Sequence, residues 1–260
     1  MSRPHSGTTR DLAELILGYG LIVGILWTPD PLQRALSPIA LIATFTVVIV
    51  RRRSRASDRV DRNQAPTEND RRENSAYENA TPKDSFEKDG LEKADCRNDG
   101  PLGLGWRGLV PSLWIVPVAV ALAAVSMFLA AKAGTLHTLY KGDFRHVAGY
   151  LLWTTYQQFL LQDYFMPRAN RILSGETAAI TLTAVLFALA HLPNLLLTAG
   201  TLLWGVVSCL LFRRYRNLYA LGLAQGLLGL CFAVCVPDSL SHHLRVGLGY
   251  LRYHATTPAP

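Results

Sequence analysis

The sequence predicts an all-α fold: a polytopic membrane helix bundle of about seven transmembrane helices, with a disordered polar loop. Three observations carry that prediction. Of the 260 residues, 50% are hydrophobic and only 17% are charged. The charges are unevenly placed, and most lie between Arg51 and Arg107. Elsewhere long apolar runs alternate with short basic punctuation, where a soluble enzyme would spread charge over its whole surface. The net charge of +7 is therefore a topology signal before it is a nucleic-acid signal, and no nucleic-acid partner is expected.

The elements follow in order. Residues 1–50 read as membrane anchor helices. The run from Leu12 to Trp27 ends in Trp-Thr-Pro-Asp-Pro without a small-x-small cleavage site, so an uncleaved anchor is expected. Gly18, Gly20 and Gly24 are placed for close approach of another helix. Pro29 and Pro31 make a turn. A second, shorter run over 35–50 is stopped by Arg51-Arg52-Arg53-Ser54-Arg55, a block that belongs on the cytoplasmic side. Residues 51–105 are rich in Arg, Asp, Glu, Asn, Lys and Ser, and too poor in apolar surface to offset their ordering entropy, so they are expected to be disordered.

A membrane core is expected over 106–240. Its spans are 109–131, 146–166, 176–198, 200–212 and 217–236, each set by apolar length. Pro193 and Asn194 bend or end the third of these. The basic clusters at 51–55, 168–171 and 213–216 then share the cytoplasmic face. Residues 241–260 are expected to be a polar tail, with His242 and His243 solvated.

The four cysteines make no disulfide framework. Cys231 and Cys235 are four apart on one helix face, and small buried side chains are the reading preferred over metal ligands. Gly-rich phosphate loops and the H-E-x-x-H and G-x-S-x-G motifs are absent. No cofactor is expected.

Polar residues at membrane depth are costly unless they face a cavity or each other. Gln157, Gln158, Gln162 and Asp163 lie in one span and His191 in the next. On a helix Gln158 and Gln162 share a face, with Gln157 beside them, and Phe187 and His191 are likewise four apart.

These residues resemble the CAAX-protease and bacteriocin-processing (CPBP, or Abi) family of intramembrane endopeptidases. The family's second motif, Phe-x-x-x-His, stands intact as Phe187-Ala-Leu-Ala-His191. Its first, Glu-Glu-x-x-x-Arg, would be Gln157-Gln158-Phe-Leu-Leu-Gln162, and the Tyr-Phe-Met-Pro-Arg that follows is similar to the family's usual exit from that helix. The third, His or a similar residue with Asn four places on, would fall at Gln225 and Gly229. The resemblance spans roughly residues 109–236.

The resemblance implies candidate catalytic residues Gln157, Gln158, Gln162, Phe187, His191 and Gln225. In the family a glutamate and histidines activate water and polar groups hold the oxyanion. A Gln amide can donate and accept hydrogen bonds but cannot take a proton. His191 is thus the titratable group on the matched positions, and Asp163 is the nearest substitute carboxylate. Three readings stay open. The chain is an endopeptidase acting on a membrane-associated peptide with His191 as base, or an inactive relative that binds membrane peptides as an adaptor. Otherwise it is a transport or structural protein whose polar groups bridge helices. Membrane lipid and a membrane-associated peptide or protein substrate are the expected partners, and a bacterial inner membrane is the simplest location.

Overall fold

The computed structural model describes residues 6–64, 102–138 and 143–253. Every regular element among them is helical. The chain divides into two compact units, Met1–Thr44 with Gly100–Pro260, and Phe45–Asp99. In order the helices are α1 (Ser6–Leu26), α2 (Asp30–Gln64), α3 (Leu109–Ser112), α4 (Ile115–Ala133) and α5 (Phe144–Phe159). A π-helical turn (Leu160–Phe165) follows α5 directly. Then come α6 (Met166–Ile172), α7 (Glu176–Leu189), α8 (Leu195–Tyr215), α9 (Leu218–Cys235), α10 (Asp238–Ser241) and α11 (Gly247–Leu251).

The class is the one the sequence predicts, a helical membrane bundle. Four described helices are long and apolar enough to cross a membrane: Pro31–Ser54, Leu109–Ala133, Leu195–Tyr215 and Leu218–Cys235. The other three expected spans fall short of that measure for separate reasons. α1 carries Arg10, Asp11 and Glu14 in its first half. The run over 146–166 is broken after Phe159 by the π turn. α7 has 14 residues, a length of about 21 Å against a hydrocarbon core of about 30 Å.

Two boundaries differ from expectation. α7 stops at Leu189 rather than 198, and α8 begins at Leu195 rather than 200. Pro193 supplies no N–H, and Asn194 caps the new helix by accepting from the Leu197 N–H at 3.1 Å. The second anchor helix continues through the basic block to Gln64, because arginine is a good helix former and does not end a helix by itself. Residues 65–101, which hold most of the expected polar loop and Cys96, lie outside the described residues.

In the first unit α9 packs between α4 and α5, α7 pairs with α8, and α1 lies along α6. The α9–α5 seam depends on glycine. A Cβ at Gly222 would lie 2.6 Å from the Thr155 Cα, and one at Gly226 would lie 3.0 Å from the Thr154 Oγ1. The Thr154 hydroxyl donates across the seam to the Gly222 carbonyl at 2.9 Å. Small residues spaced four apart let two backbones meet in this way.

The α1–α6 seam is ionic. Arg171 grips both oxygens of Asp11, at 2.7 and 2.9 Å. Arg168 donates to Glu14 Oε2 at 3.2 and 2.9 Å and to the Tyr164 carbonyl at 2.6 Å. Its guanidinium lies 3.8 Å from the centre of the Tyr164 ring. Tyr164 in turn occupies the space a side chain at Gly18 would need. Close approach is thus found at Gly18, whereas Gly20 and Gly24 face open space. Glu14→Leu is expected to cost about 3 kcal/mol, because the Arg168 guanidinium stays buried after its carboxylate is removed. The double variant Glu14→Leu/Arg168→Met should be milder, and thermal unfolding in detergent measures both.

Part of the expected polar tail is packed: Ser241 and Gly247 are buried, while His243, Arg245, Leu251 and Arg252 are exposed. Ser241 is fully buried, the His242 ring lies 4.2 Å from that of Tyr250, and His243 Nε2 is 2.8 Å from Asp238 Oδ2. The reason lies in the loop between α7 and α8, whose backbone needs partners. Asn194 Nδ2 donates to the Ser241 carbonyl at 2.8 Å, and the Gly247 N–H donates to the Leu192 carbonyl at 2.9 Å. Asn194→Ala should therefore lose a helix cap and a tail anchor together, about 2 kcal/mol in all. Faster proteolysis within 238–253 is the measurable sign.

Candidate active site

The first segment of the site is shaped by Pro167. A proline clashes with the carbonyl four residues back and offers it no N–H. Here the turn before it opens to i→i+5 spacing, with the Met166 N–H on the Leu161 carbonyl. Such π turns recur at functional sites. Gln162 stays beside Gln158 at the start of this turn, with Gln162 Nε2 3.3 Å from Gln158 Oε1.

From there the amides form a chain. Gln158 Nε2 donates to Gln225 Oε1 at 2.6 Å, and Gln225 Nε2 donates to Gln157 Oε1. Gln162 Nε2 also reaches Ser208 Oγ at 3.4 Å. Trp204 Nε1 donates to Gln225 Oε1 at 3.1 Å. Gln158 and Gln162 are buried at 0% and 2% exposure, whereas Gln157 and Gln225 are half-buried. The glycine seam of α9 makes this contact, since Gln225 lies between Gly222 and Gly226.

Gln157, Gln225, Phe187 and His191 line one cavity of about 510 Å³, together with Tyr150 and Trp204. The rest of its wall is largely apolar, from α1, the start of α2, α8 and α9, with Leu244 and Val246 of the tail. His191 is turned so that Nδ1 lies 2.8 Å from the Phe187 carbonyl, and its ring sits edge-on to Phe187, 5.0 Å between centres. A carbonyl only accepts, so Nδ1 carries the proton and Nε2 is the basic nitrogen.

The structure thus brings all four glutamines together and sets Phe187 and His191 on the same cavity. Among the described residues it draws no hydrogen bond between His191 and a glutamine. Asp163, the expected substitute carboxylate, is buried at 3% exposure but is not on the cavity wall. Gly229, at the place the resemblance gives to Asn, accommodates the Tyr150 ring, whose Cζ would lie 3.1 Å from a Cβ there. Cys231 and Cys235 are free thiols, 3.6 Å apart. Among the described residues no three His, Cys, Asp or Glu side chains converge as metal ligands.

Two site residues escaped the sequence reading. Tyr150 was findable, because it precedes Gln157 and Gln158 by seven and eight residues and so shares their face. Trp204 carried no such signal; it joins the site through the packing of α8.

These features define a helical membrane protein with a polar site buried beside an apolar cavity. Residues 103–231 match the family model described as type II CAAX prenyl endopeptidase Rce1-like. Over these residues the chain is similar to that branch of the CPBP group, a match that supports an intramembrane endopeptidase type of function in a lipid setting. No curated protein and no solved structure matches the chain.

Proposed function

We propose that this protein hydrolyses a membrane-associated peptide within the cavity, with His191 as general base and Gln157 as donor to the scissile carbonyl. One observation carries the reading: His191 and Gln157 line the same cavity, with His191 Nδ1 held by the Phe187 carbonyl. Nε2 is then the nitrogen that takes a proton from attacking water and returns it to the leaving amine. The Gln157 amide nitrogen stabilises the oxyanion. The apolar wall receives the side chains that flank the cleaved bond. Phe187 orients the imidazole, and Gln158, Gln162 and Gln225 hold Gln157. The bacterial inner membrane is the location we assign.

A second reading is favoured by the amide chain itself. Four glutamines at the motif positions bond to one another, and none can act as a base. In that reading the cavity binds a membrane peptide without cutting it, as an adaptor does. The deciding experiment presents membrane-inserted peptides, each with a photocrosslinker, to the purified protein in lipid. Crosslinking with cleavage supports hydrolysis, crosslinking without cleavage supports the adaptor, and neither sinks both.

A further inference from the structure

We infer that Trp204 fixes the direction of the glutamine chain and so makes Gln157 present its amide nitrogen to the ligand. The inference rests on the peptide-binding reading above and deepens it: the site recognises a hydrogen-bond acceptor, the carbonyl oxygen of a peptide group.

The two ends of a glutamine amide have nearly the same shape, so a chain of four amides can run either way. Each direction contains the same three amide–amide bonds. At one end Gln162 Nε2 meets Ser208 Oγ at 3.4 Å, while that hydroxyl donates to the Gly205 carbonyl at 3.2 Å, a bond it can exchange by rotating. That end holds the direction only weakly, through one long contact. Trp204 holds it firmly, because an indole N–H only donates. It lies 3.1 Å from Gln225 Oε1. Reversing the chain would put the Gln225 NH2 against the indole N–H, two donors face to face, and that bond would be lost.

The direction has a consequence at each terminus. Gln225 Oε1 uses its two lone pairs on Gln158 and Trp204. Gln225 Nε2 then takes Gln157 Oε1. The Gln157 side chain makes no further hydrogen bond among the described residues, so its Nε2 is the donor left over at the cavity wall. The opposite terminus shows the complementary remainder: Gln162 Oε1 is buried without a hydrogen-bond partner. A one-way chain leaves an acceptor at its head and a donor at its tail. A donor at Gln157 suits a carbonyl and rejects an ammonium group.

Trp204 is thus a positioning residue acting through Gln157, and a double-mutant cycle tests it. Wild type, Trp204→Phe, Gln157→Met and the double variant are placed in lipid nanodiscs. The probe is the fluorescent membrane-inserted model peptide that wild type binds most tightly in a panel. Trp204→Phe is expected to weaken binding about fivefold, and Gln157→Met by a similar factor. With Met at 157, the Trp204→Phe change should have no further effect. Equal weakening in both backgrounds would mean that Trp204 only packs, and would overturn the inference.

A second measurement needs no peptide. The ultraviolet resonance Raman difference between wild type and Trp204→Phe isolates the indole N–H band of Trp204. It should sit at its hydrogen-bonded position and move to the unbonded one in Gln225→Leu. An unbonded band in wild type overturns the inference. A bonded band in a protein that binds no peptide overturns the ligand assignment and the functional reading beneath it, while the amide chain stands.

Discussion

His191→Ala is expected to lower peptide cleavage by about one hundred- to ten thousand-fold, the range general acid–base groups supply. The loss should appear in the turnover rate with little change in peptide affinity, because imidazole acts on the proton in transit while the apolar wall holds the peptide. The stability cost should be modest, since among the described residues the ring makes one hydrogen bond, to the Phe187 carbonyl, beside its edge-on contact with the Phe187 ring. Rates with a fixed model peptide, measured beside thermal unfolding, separate the two effects. A variant that cleaves as fast as wild type would remove His191 from the chemistry. If wild type itself does not cleave, Gln157→Glu/Gln158→Glu becomes the informative variant. It supplies carboxylates at the family's positions on a cavity already formed, and gained cleavage would mark the protein as a binder that kept the scaffold.

Gly222→Leu should be the most damaging single change to the fold. A Cβ at Gly222 would lie 2.6 Å from the Thr155 Cα, which is backbone and cannot swing aside. The seam between α9 and α5 has to open, with the loss of the Thr154 hydrogen bond to the Gly222 carbonyl. Overpacking of this kind costs about 3 kcal/mol or more. The same opening pulls Gln225 away from Gln157 and Gln158, so peptide binding should fall with stability. Gly20→Leu is the control, because a Cβ there meets open space. Unfolding temperature and peptide affinity of the two variants decide the matter, and equal effects would mean that the glycine seam does not hold the site.

Much of the site was legible because helical spacing alone aligns it. Gln157, Gln158 and Gln162 share one segment, and Phe187 and His191 are one turn apart, so each group could be assembled from local geometry. Pro193 and Asn194 announced the end of α7 through the missing N–H and the capping side chain. The extension of α2 to Gln64 and the packing of the tail were not legible, because both run against composition. The first has charged residues that are nevertheless good helix formers. The second has polar residues whose partners lie on a loop some fifty positions earlier, as with Asn194 and Ser241. Arg168 and Arg171 read as membrane-flanking charge. That they grip Glu14 and Asp11 depends on α1 lying beside α6.

The sequence by itself determined the class of this protein, since apolar length and the clustering of charge are one-dimensional properties that the bilayer reads directly. It also determined the chemical limits of the motif, because no fold can make a glutamine amide take a proton. Only the tertiary structure decided that the four glutamines bond in one chain, that Trp204 joins it, and that His191 shares a cavity with Gln157 and Gln225 with no hydrogen bond to a glutamine among the described residues. Those facts depend on which helices become neighbours. That is set by glycine at a seam and by ion pairs between segments more than a hundred residues apart, contacts whose energy exists only once the chain has folded.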